Sequence, residues 1–217
     1  MIASLPTLTR KRIAAYTAVL FALIVARIFI GSSDWLGSAT LHVLVEFVAA
    51  TLALFVGALA LVRFYTRQNN AYFFIGTGFI GAGLLDAFHA VRTAVTLNIF
   101  TATAVSPDLW QWNPSPVFLS IFIAGSWIVW QRDKWLQMHS SRYYVMVGAV
   151  ALVTVFLFAL IPQPSITSSQ YLSGRATAVL ATTFFIVALI GYLHKRDWQQ
   201  DPFENWLVIA LIVNISA

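Results

Sequence analysis

Two short stretches of this chain combine side chains that bind cations or move protons. LHVLVEF carries His42 and Glu46 four residues apart, and LLDAFHAVR carries Asp86 and His89 three apart, followed by Arg92. On a helix both spacings place the paired side chains on one face. Two imidazoles and two carboxylates form a donor set that suits Zn, Cu(II), Fe or Mn. Soft Cu(I) is disfavoured, because the chain has no cysteine and its methionines, Met1, Met138 and Met146, lie away from both stretches. A haem b held axially by His42 and His89 fits less well, since a carboxylate one turn from each ligand suits a porphyrin face poorly. A third reading is purely structural: Arg27 neutralises Glu46 or Asp86, and the histidines complete the network by hydrogen bonds.

Which elements would hold these groups follows from composition. Of 217 residues, 59% are hydrophobic and only 10% charged, whereas a soluble domain carries roughly a quarter charged residues. Apolar runs recur along the whole length, long enough to cross a hydrocarbon core of about 30 Å. The expected fold is therefore all-α: one polytopic transmembrane helix bundle spanning 1–217. Seven spans can be read, near 13–30, 41–64, 71–92, 116–131, 143–162, 174–193 and 205–217. The last is still apolar where the sequence stops, so an eighth span is expected beyond it. The first follows Arg10, Lys11 and Arg12, but Arg27 within it and the lack of a clear cleavage site point to a retained anchor, not a signal peptide.

The net charge of +5 does not indicate nucleic acid, because its distribution reports orientation instead. Arg10, Lys11, Arg12, Arg63, Arg67, Arg132, Lys134, Arg142, Lys195 and Arg196 fall on one side of the bundle, while the loops near 31–40, 99–115 and 163–173 hold no Lys or Arg. The positive-inside rule then places the N-terminus in the cytoplasm of a cell with an inner membrane. The tryptophans sort in the same way, with Trp35, Trp110 and Trp112 at the outer interface and Trp130, Trp135, Trp198 and Trp206 at the inner one.

Depth can be counted from helical rise. His42 falls at the outer edge of the second span and Glu46 about 6 Å deeper; Asp86 lies about 22 Å and His89 about 27 Å along the third, which runs outward. Arg27, about 21 Å along the first span, reaches the level of the carboxylates, with Arg92 just above. Ionisable groups from three consecutive spans thus share the outer third of the membrane, where such residues are functional candidates.

The glycines just before Asp86 invite a different reading. Gly76, Gly78 and Gly81 match G-x-G-x-x-G, but a dinucleotide fingerprint needs a preceding strand. Inside an apolar span, small residues instead let neighbouring helices approach closely. Among other polar groups, His139 and His194 are expected to be solvated in basic loops. Thr182, Thr183 and Asn214 are expected to bond between helices, and Arg175 to snorkel at the outer surface. The segment SPDLWQWNPSP, with Asp108, reads as an outer interface loop.

On LHVLVEF followed by YFFIGTGFIGAGLLDAFHA, the chain resembles bacterial membrane-associated sensor (MASE) domains, most closely the third numbered type. That resemblance implies a sensory input module for signal transduction, with His42, Glu46, Asp86 and His89 as the matching positions. It also implies a cytoplasmic output module in the same chain: a PAS domain, a diguanylate cyclase making cyclic di-GMP, or the histidine kinase of a two-component system. The expected partners are the lipid bilayer, that output module and a second copy in a homodimer. The input region itself is not expected to be an enzyme. A seven-span metal-dependent hydrolase would need further ligands, and the late spans offer only Asn214 and Ser216. A proton-coupled transporter would need a relay continuing inward, yet apart from Arg63 at the very end of the second span the inner half of every span lacks charged groups.

Overall fold

A computed structural model describes residues 6–31, 39–96, 115–131 and 168–216, with a few positions between 145 and 152. The described elements are helical, in the order α1 (Thr7–Gly31), α2 (Ala39–Arg67), α3 (Asn70–Thr96), α4 (Ser115–Gln131), α5 (Ser168–Lys195), a 3-10 turn (Asp197–Gln199) and α6 (Pro202–Ser216). Four of them, α1, α2, α3 and α5, contain stretches long and apolar enough to cross a membrane; α4 and α6 are shorter and apolar. The expected fifth span falls outside the described residues apart from those scattered positions. Of the outer loop expected at 99–115, only Ser115 is among the described residues.

The chain divides into two compact units, residues 37–181 and residues 1–36 with 182–217. In the first unit α3 packs against α2 on one side and α4 on the other. The glycine run makes this possible. A Cβ added at Gly83 would stand 2.9 Å from the Ala50 carbonyl oxygen of α2, and one at Gly76 would stand 3.0 Å from the Gly57 carbonyl oxygen. On the other side, a Cβ at Gly78 would stand 2.7 Å from the Phe122 Cβ of α4. Small residues thus form a close seam with α2 while Phe118 and Phe122 of α4 fill the space beside Gly81 and Gly78. Phe118 and Phe122 stack with ring centres 4.6 Å apart and join Phe73 and Leu85 in a buried cluster. The opposite face of α2 carries an exposed apolar stripe, Val45, Val48, Leu52, Phe55, Leu59 and Val62. That is the surface a helix presents to lipid, which is as apolar as leucine.

The α2–α3 hairpin is short and chemically specified. Gln68 takes a left-handed conformation with φ 49°, and its N–H donates to the Phe64 carbonyl at 2.7 Å. The Asn69 side chain then accepts from the Ala71 N–H at 2.9 Å, capping α3. Beside the turn, the Arg63 guanidinium lies 4.9 Å from the centre of the Tyr72 ring. In the second unit α1 packs along α6 and touches the 3-10 turn. Asp201 caps α6 by accepting from the Phe203 N–H at 2.8 Å, with Pro202 at the first helical position, where a missing N–H costs nothing.

Two expectations need correction. Trp198 is not an interfacial belt residue: it is 6% exposed and packed against Tyr16. Asn214 spends its amide within its own helix, donating to the Ala210 carbonyl at 2.8 Å and not to a neighbouring helix.

Candidate functional site

The small-residue seam sets the register that builds the site. Taking the Ala50–Gly83 approach as a level, Glu46 stands about 6 Å above it on α2, while Asp86 and His89 stand about 4.5 and 9 Å above it on α3. Helical side chains lean toward their own N-terminus. Because the helices run oppositely, Glu46 leans away from the hairpin and His89 leans back toward it. The two meet: His89 Nε2 lies 3.6 Å from Glu46 Oε1, with side chains 12% and 13% exposed. That separation is within ion-pairing reach and long for a hydrogen bond.

Asp86, one turn before His89, reaches the third helix of the unit. The Ser115 hydroxyl of α4 donates to Asp86 Oδ1 at 2.5 Å, and Ser115 is buried. Ser115 is the site residue that sequence reasoning passed over. Its signal was the Ser-Pro pair opening the fourth apolar run, where proline at the first turn leaves the preceding serine at the helix start. The site therefore joins α2, α3 and α4 through Glu46, Asp86, His89 and Ser115.

His42 and Arg92 belong to the same helices, but their side chains lie outside the described residues. Arg27 belongs to the other unit, where its guanidinium donates to the Ser216 carbonyl at 3.4 Å. There it lines an open groove of about 450 Å³ with Leu23, Ile24, Thr182, Ile215 and Ser216. Among the described residues, no three His, Asp or Glu side chains gather closely enough to hold a metal ion. The dinucleotide alternative is closed: Gly76, Gly78 and Gly81 lie within α3, packed against helices on both sides.

The MASE3 family, described as a membrane-associated sensor domain, matches residues 36–217. This chain belongs to that family. The MASE3 match runs from just before α2 through α6, so it contains His42, Glu46, Asp86, His89 and Ser115, whereas α1 precedes it. No curated protein and no solved structure matches the chain. The MASE3 assignment and the four candidate spans together describe a multi-pass membrane sensor domain.

Proposed function

We propose that this domain senses a cationic ligand, a metal ion of the Zn, Cu(II), Fe or Mn type, that binds between Glu46 and His89 and draws Asp86 toward it, with His42 completing the donor set from one turn before Glu46. It reports to a cytoplasmic output module in the same chain. The supporting observation is the meeting of Glu46 and His89 across the α2–α3 seam. Two groups of opposite formal character from separate helices are held near each other in a largely buried place. A cation entering between them takes both as ligands and changes how the helices pack. Such a ligand shifts the domain between two packings only by the difference in its affinity for them. In this reading the bundle has seven spans, its N-terminus faces the cytoplasm of a bacterial inner membrane, and the site opens outward.

A second reading has an observation of its own. The described His, Asp and Glu side chains do not converge in threes, which favours a Glu46–His89 pair that fixes helix register and binds nothing. Elemental analysis of the detergent-purified protein beside a His42→Ala/His89→Ala variant separates the two. Stoichiometric metal in the wild type and its loss in the variant support the sensor site and name the element. Neither protein carrying metal, even after incubation with each candidate ion, leaves the register-fixing pair.

A further inference from the structure

The polar chemistry of the second unit collects at one corner, where α5 turns into α6. Lys195 ends α5 and is 9% exposed; its ammonium bonds the Glu204 carboxylate and lies 3.2 Å from Asp197 Oδ2. Glu204, in the first turn of α6, is 2% exposed. Trp198 lies between them in sequence and is anchored by its indole N–H, which donates to the Leu193 carbonyl at 3.3 Å. The turn enters through Arg196 in a left-handed conformation, φ 65°.

α1 closes this corner from outside. The Arg12 guanidinium donates to the Trp198 carbonyl and, at 3.5 Å, to the Asp201 carbonyl. One turn further, the Tyr16 hydroxyl donates to Asn205 Oδ1 at 2.8 Å, and its ring lies 5.5 Å from the Trp198 ring. Much of the rest of α1 is turned outward: Phe21, Ile24, Ile28 and Phe29 are between 51% and 72% exposed. In lipid such a helix gains nothing from apolar burial, so polar contacts and close packing decide whether it stays docked. Those contacts are concentrated at Arg12 and Tyr16, with Arg27 reaching Ser216 at the other end of α6.

We propose that α1 is an intramolecular strap that locks the α5–α6 corner, so that the working sensor includes α1 although the family match covers only residues 36–217. While the strap is docked, the Lys195–Glu204 pair is shielded and the corner angle is fixed. Lifting α1 removes the donors to the Trp198 and Asp201 carbonyls and the ring that covers Trp198, and frees the corner to open. The inference is independent of any ligand at Glu46 and His89.

Backbone hydrogen exchange across residues 193–205 tests it, because exchange reads the free energy of local opening. The full chain in detergent is compared with Arg12→Ala, with Tyr16→Phe, which keeps the ring and loses only the hydroxyl, and with Thr17→Ala. Thr17 is exposed and bonds the Ile13 carbonyl of its own helix, so it serves as the control on α1. Corner amides are expected to exchange roughly tenfold faster in Arg12→Ala, which loses a charged donor, and several-fold faster in Tyr16→Phe. Thr17→Ala is expected at the wild-type rate. Unchanged exchange in both Arg12→Ala and Tyr16→Phe, or equal acceleration in Thr17→Ala, overturns the strap.

Discussion

Glu46 and His89 meet because of the direction in which helical side chains lean, a property of single residues that a count of rise per residue omits. Counting rise alone sets Glu46 level with Asp86 and His89 level with His42; the opposed lean of antiparallel helices carries His89 down to Glu46. Asp86 is then left to accept from Ser115. Replacing Ser115 with Ala removes a buried donor to a carboxylate and should lower stability by about 1–2 kcal/mol. Thermal unfolding in detergent measures this, and an unchanged midpoint would show that other partners hold Asp86 equally well. The glycines give a sharper contrast. Gly83→Ala forces a Cβ to 2.9 Å from a backbone oxygen of α2, so a helix must shift, at about 1–3 kcal/mol. Gly125→Ala meets nothing closer than 3.5 Å, the edge of the Phe74 ring, and should stabilise by about 0.5–1 kcal/mol through reduced chain entropy. Two variants with the same chemical change should thus move the unfolding midpoint in opposite directions.

At the level of elements, the helices run further than hydropathy alone places them. α1 begins at Thr7, before Arg10, Lys11 and Arg12, so the basic triplet rides on the helix and not in a preceding loop. α5 likewise runs through His194 and Lys195. His194 is exposed, as expected of a solvated residue, but Lys195 turns inward to Glu204. Charge counting assigns both to the same inner loop; only the corner geometry separates them. Breaking such a pair on one side leaves a buried charge, so Lys195→Met should destabilise by about 3 kcal/mol, while Lys195→Met/Glu204→Leu should recover most of that loss. Urea titration of the two variants decides it. A double variant as unstable as the single one would mean that the pair does more than neutralise itself.

For the whole molecule, the absence of cysteine gives a clean background for measuring orientation. A Gln68→Cys variant, at the α2–α3 turn, and a His194→Cys variant should both react with an impermeant thiol reagent only from the cytoplasmic side, if the basic ends of the helices stay inside. Labelling of either from the outside of intact cells would reverse the proposed topology. Composition alone determines that this chain is helical and lives in a membrane, because so few charges cannot cover a soluble surface and lipid leaves backbone groups to be satisfied within each helix. Spacing determines that His42 shares a face with Glu46 and Asp86 with His89, because the period of the helix is fixed. Tertiary structure decides the rest. That Glu46 faces His89, that Ser115 holds Asp86, and that Arg12 and Tyr16 close over the Lys195–Glu204 corner all depend on register between helices. Register is set by which small residues meet at Ala50, Gly57, Gly76 and Gly83, a matter of close packing in three dimensions that no period along the chain encodes.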